Sequence, residues 1–262
     1  TSKFIEFYNG MLIAMDTLRQ TGLNINLHVY DSGKSEAEAK SMLSYPELKN
    51  LDFIVGPAFQ SQVKAMSDFA LAYNVKLVIP FSSKSDEVKN NGNIFQINAT
   101  QSISAANVAH QIATKFMDRN IILLTFSDPK ENDRQVWADT LKFTLDAMGI
   151  KNTSMVFSNL NEIRKVIDKK RFNLVFPVTT NQVALNKVLP IINMLKTKDS
   201  EIEIFGFSEW QNYSSISKEL FKLNTYFTSP FYIDFKDQQM RSFLMKYRKY
   251  NNAEPANTQP MY

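Results

Sequence analysis

Residues 51–85, LDFIVGPAFQSQVKAMSDFALAYNVKLVIPFSSKS, constrain the fold more than any other stretch, because they read as strand, turn, helix, strand and turn in succession. Phe53, Ile54 and Val55 form a short apolar run closed by Gly56 and Pro57. Leu77, Val78 and Ile79 form a second, closed by Pro80, and both runs are expected to be buried strands. Between them Val63, Met66, Ala70 and Tyr73, with Phe69 alongside, recur at helical spacing. Two strands joined through one helix run parallel with a right-handed crossover, so the turns that follow them share one carboxyl edge of the sheet. Small polar residues gather at those turns: Gln60, Ser61 and Gln62 after the first strand, Ser82 and Ser83 after the second. In an open α/β sheet, ligands bind outside the carboxyl ends of the strands.

The same rhythm runs through the rest of the chain. Residues 3–20 form an amphipathic helix with Phe4, Phe7, Tyr8, Met11, Leu12, Met15 and Leu18 on one stripe, stopped by Gly22. Ile25–Tyr30 alternates as a strand, and a helix is expected from Ser35, a plausible N-cap, to Leu48. A short strand at Ile94–Ile97 and a helix at Gln101–Met117 follow. Strands at Ile121–Phe126, Met155–Phe157, Leu174–Val178 and Ile202–Phe207 then alternate with helices at Val136–Met148, Glu162–Ile167 and Val183–Leu195, which predicts a second doubly wound lobe. Pro190 is expected to kink or break its helix. From Tyr226 to Tyr232 the chain is aromatic and extended, and a helix from Lys236 to Tyr250 follows.

Several chemistries lack their residues. There is no cysteine, which removes disulfides, thiolate metal sites and thiol nucleophiles together. His28 and His110 share no motif with a serine or an acid, no serine lies in a G-x-S-x-G elbow, and Glu201 and Glu203 are only an alternation on one strand face. Neither catalysis nor a metal is therefore expected. Gly33-Lys34-Ser35 lacks the glycine of a phosphate loop five residues earlier, where His28 stands, and no GxGxxG exists, so no cofactor is expected. The formal net charge of +4 comes from lysines scattered among acidic residues, which argues against nucleic acid as a partner. No apolar run approaches the roughly 18 residues of a membrane span.

The pattern Ile54-Val-Gly-Pro, a polar cluster, a helix and then Val78-Ile-Pro-Phe-Ser-Ser resembles the type I periplasmic binding proteins of the branched-chain amino-acid receptor group. Phe95-Gln-Ile-Asn, Ile121-Ile-Leu-Leu-Thr-Phe, Leu174-Val-Phe-Pro-Val and Gly206-Phe-Ser-Glu fall where that family places a strand or a ligand loop. The resemblance implies an α/β protein of two doubly wound parallel-sheet lobes. Residues 1–98 with 231–262 would form the amino-terminal lobe and 99–230 the second, with hinge crossings near 98–101 and 227–232. It also implies a fold incomplete at both termini, because the family places a strand before the first helix and further elements after the last one.

For function, the resemblance implies an extracytoplasmic solute-binding protein, periplasmic or outer-envelope, holding an amino acid or similar ligand between its lobes and working with the permease of an ABC-type transporter. Ser61, Ser83 and the backbone at Ser82 fall on the positions that hold the ligand carboxylate. Glu209 falls on the position that holds its ammonium, Thr179 and Thr180 lie on another cleft loop, and Phe81 and Trp210 would wall the side chain. Two departures stand out: Gln60 and Gln62 replace small hydroxyl residues, and the loop Ser127–Arg134 lacks the tyrosine-glycine often present there. A rival implication is a cell-envelope lipoprotein module that serves as a protein platform, with a cell-wall enzyme as partner and no transport ligand.

Overall fold

The computed structural model describes residues 2–84, 86–128, 132–229 and 233–255. The chain divides into two compact units, residues 1–98 with 231–262 and residues 99–230. Unit 1 contains α1 (Ser2–Gln20), α2 (Glu36–Met42), β1 (Phe53–Val55), α3 (Val63–Tyr73), β2 (Lys76–Ile79), β3 (Ile94–Gln96) and α9 (Gln238–Asn251). Unit 2 contains α4 (Gln101–Lys115), β4 (Asn120–Thr125), α5 (Asn132–Ala147), β5 (Asn152–Val156), α6 (Leu160–Val166), β6 (Asn173–Pro177), α7 (Gln182–Leu195), β7 (Ile202–Phe207), α8 (Ser217–Lys222) and β8 (Thr225–Thr228).

Each unit has its own parallel sheet, ordered β1-β2-β3 in unit 1 and β5-β4-β6-β7-β8 in unit 2. Ile54 pairs with Leu77, and Ile121 pairs with Leu174 in the other sheet. The expected separation of these two strand pairs is therefore observed. Helix ends follow their local sequence. Gly22 takes a positive φ of 91° just after α1, and Asn74 closes α3 in the left-handed region. Ser35 caps α2 in a full capping box with Glu38.

Unit 2 holds the larger core. Ile121–Leu124 and Leu174–Phe176 are buried along their whole length, as expected of strands with helices on both faces. An aromatic set, Trp137, Phe176, Phe205, Phe207 and Trp210, fills the space against β6 and β7 with centroid separations between 5.0 and 6.3 Å.

Unit 1 departs from expectation in three places. Residues 23–31 form no strand. Alternation alone does not make one, because a strand needs a neighbour for its N–H and C=O groups, and among the described residues nothing pairs with this segment in a ladder. Val29 is 65% exposed as a result. β1 is also less buried than expected, with Phe53 55% exposed and, among the described residues, no ladder partner beyond β2. The helix expected to reach Leu48 ends at Met42, and Pro46 opens a separate 3-10 turn, Pro46–Asn50. In unit 2, α7 continues through Pro190 to Leu195 rather than breaking. The extended stretch at Tyr226 supplies the edge strand β8, and residues 230–232 of the expected crossing lie outside the described residues.

Candidate functional site

In unit 1 the carboxyl ends of β1 and β2 open onto a cavity of about 250 Å³, lined among others by Phe59, Gln60, Phe81, Ser82, Ser83 and Lys84. Three of the eight residues singled out in the sequence, Phe81, Ser82 and Ser83, thus lie together. The Phe81 ring packs edge-on against Phe4 at 4.9 Å and Phe7 at 5.0 Å, and Phe4 meets Phe59 at 5.5 Å. These contacts fix Phe81 as a wall of the cavity. No local pattern places Phe4 and Phe7 here, since on α1 they read as ordinary members of an apolar stripe.

The hydroxyls differ in what they can still do. Ser82 Oγ donates to Gln60 Oε1 and accepts from the Lys84 N–H at 3.1 Å, so it ties the two turns together. Ser83 is half-buried on the cavity wall, and its hydroxyl has no hydrogen-bond partner among the described residues. Ser61 corrects an expectation: its only O–H donates to the Lys34 carbonyl at 2.9 Å, which leaves lone pairs facing outward, the wrong polarity for a carboxylate. Gln62 is fully buried and anchors the 31–35 turn by donating to the Ser32 carbonyl at 2.6 Å and the Ser35 carbonyl at 3.3 Å. Its departure from a small hydroxyl residue has this structural cause.

In unit 2 the loops after β4, β6 and β7 build a second polar edge. Asn181 caps α7 and donates from Nδ2 to Asp128 Oδ2 at 3.0 Å, linking two of the loops. Thr179 is buried, with its hydroxyl accepting from the Asn181 N–H at 2.9 Å and its carbonyl accepting from Trp210 Nε1 at 2.8 Å. The Thr180 carbonyl accepts from the Tyr213 hydroxyl at 2.9 Å. Trp210 is 0% exposed, so it is a core side chain and not the wall expected for a ligand. Its placement depends on Gly206, where a Cβ would come within 2.2 Å of the Trp210 ring.

Glu209 is also placed otherwise than expected. Its side chain is half-exposed, and Oε1 already accepts from Arg134 Nη2 at 3.2 Å, so the carboxylate expected for a ligand ammonium is engaged. Arg134, in the first turn of α5, lays its guanidinium over Phe207 with 4.1 Å to the ring centroid. The cation that an isolated carboxylate requires is therefore supplied by the chain itself. Sequence reasoning missed Arg134, and the signal lay in the loop 127–134 that departs from the receptor pattern. Among the described residues, no group of three or more His, Asp or Glu side chains could hold a metal ion, and no helix is long and apolar enough to cross a membrane.

No family model matches the sequence, and no curated protein matches it. Solved structures do. A branched-chain amino acid ABC transporter protein from Rhodospirillum rubrum superposes with a TM-score of 0.73 at 12% identity, covering 97% of this chain and 75% of that one. One from Rhodopseudomonas palustris gives 0.63 at 13% identity over 95% and 70%. An ABC transporter substrate-binding protein from Desulfitobacterium hafniense in complex with Leu gives 0.57 at 13% identity over 95% and 74%. The fold is that of the type I periplasmic binding proteins.

Proposed function

We propose that the protein is an extracytoplasmic solute-binding protein that takes a small polar solute of the amino-acid kind and presents it to the permease of an ABC-type transporter. The observation that carries this reading is the unit 1 cavity. It lies at the carboxyl ends of parallel strands, has aromatic walls and offers one half-buried hydroxyl, Ser83, with no internal partner among the described residues. Its volume of about 250 Å³ suits a small solute rather than a drug-sized ligand, for which roughly 300–1,000 Å³ is usual. The solved structures support the same class of function by their names, and one of them holds leucine. The rival reading, a cell-wall platform, finds no support among them.

Calorimetric titration with a panel of free amino acids tests the proposal. At least one should bind, and at a hundredfold excess over Kd it should stabilise the fold by roughly 2.7 kcal/mol. Ser83→Ala should weaken that binding by about tenfold, the value of one hydrogen bond to a charged group. A panel in which nothing binds, or an unchanged Kd for Ser83→Ala, refutes this site.

A further inference from the structure

We infer that Gln60 is a specificity-determining residue of the unit 1 cavity: its side-chain amide, oriented by Ser82, donates to the carboxylate of the solute alongside the Ser83 hydroxyl. This rests on the solute-binding reading and names a group that reads the acid end of the solute. Two glutamines, Gln60 and Gln62, replace small hydroxyl residues of the receptor pattern, and they spend their amides differently. Gln62 is buried and uses both ends: Nε2 donates to the Ser32 and Ser35 carbonyls, and Oε1 accepts from Ser32 Oγ at 3.3 Å. Gln60 is exposed on the cavity wall and uses one end. Its Oε1 accepts from Ser82 Oγ, which is itself held by the Lys84 N–H at 3.1 Å, while its Nε2 makes no hydrogen bond among the described residues.

A purely stabilising role does not account for this arrangement. Ordering a long exposed side chain costs rotamer entropy, and one hydrogen bond at the surface returns little against it. What the bond does accomplish is orientation. The amide is planar, so fixing its oxygen narrows where the two N–H donors of Nε2 can point. Ser83, on the same cavity wall, adds an O–H with no partner among the described residues. None of the residues lining the cavity is an acid, and Lys84 is the one that carries a charge. The side-chain groups still unspent can all donate, and the solute group they suit best is a carboxylate, whose hydrogen bonds are charge-assisted.

Alanine, leucine and phenylalanine, each paired with its own carboxamide, test this by titration into wild type, Gln60→Glu, Gln60→Ala, Ser82→Ala and the double variant Gln60→Ala with Ser82→Ala, with a thermal melt of each variant to verify its fold. Gln60→Glu keeps the shape and the acceptor for Ser82 but puts a negative oxygen where the donors stood. For each acid that binds wild type, it should weaken the acid by at least about tenfold and the carboxamide by less than about threefold. Gln60→Ala should weaken the acid by about tenfold. Ser82→Ala, which frees the amide without touching the solute, should weaken it by about threefold. In the Gln60→Ala background Ser82→Ala should add nothing, because the group it orients is gone. The inference is overturned if Gln60→Glu or Gln60→Ala binds the acid like wild type, if Gln60→Glu weakens acid and carboxamide equally, or if Ser82→Ala costs as much in the Gln60→Ala background as alone. Those outcomes leave solute binding standing. If none of the acids binds wild type, this inference and the solute-binding reading fall together.

Discussion

Ser35 and Glu38 show how much a few residues settle locally. The Ser35 hydroxyl, then the Lys34 and Ser35 N–H groups, hold the Glu38 carboxyl at about 2, below the ordinary 4.5. Because the folded value is depressed, the capping contribution is fully present above pH 4.5 and is lost as pH falls toward 2. An NMR titration of the Glu38 carboxyl in the folded protein should therefore show a midpoint near 2, and a midpoint at the ordinary value would mean that the capping box does not form in solution. This pair was legible because its partners are three residues apart. Trp210 was not. Its sequence neighbour Glu209 reaches the surface while Trp210 turns inward, and only the space left by Gly206 and the Thr179 carbonyl decides that.

At the scale of elements, α7 carries an internal proline without breaking. Pro190 is exposed, while Leu185, Val188, Leu189 and Ile192 around it are fully buried. The helix is held by burial on that face, which outweighs the missing donor and the ring contact with the preceding turn. Pro190→Ala removes no packing and restores the donor, so it should stabilise the protein by about 1–3 kcal/mol, offset in part by the freer unfolded chain. A urea midpoint equal to or below that of wild type would contradict this account. The reverse case is residues 23–31, where a good strand pattern forms no strand because no ladder partner meets it.

The whole molecule consists of two units of unequal build, a three-stranded sheet in one and a five-stranded sheet over a larger apolar core in the other. Both tryptophans, Trp137 and Trp210, are buried in unit 2, so their fluorescence reports that unit alone, whereas far-UV circular dichroism reports helices of both. Unit 1, with its shorter and more exposed strands, should open at lower denaturant. The circular dichroism transition should thus begin before the fluorescence transition. Superimposable curves would show one cooperative unit instead.

The sequence by itself determined the α/β class, the parallel strands, most helix boundaries and the carboxyl-edge turns where Phe81, Ser82 and Ser83 meet. Each of these follows from periodicity, caps or chain direction, which act over a few residues. Only the tertiary structure decided which polar groups remain available there. The Ser61 hydroxyl is taken by Lys34, the Glu209 carboxylate by Arg134, and the Trp210 indole by Thr179. Those partners lie 27, 75 and 31 residues away, and no local pattern encodes a hydrogen bond over such distances.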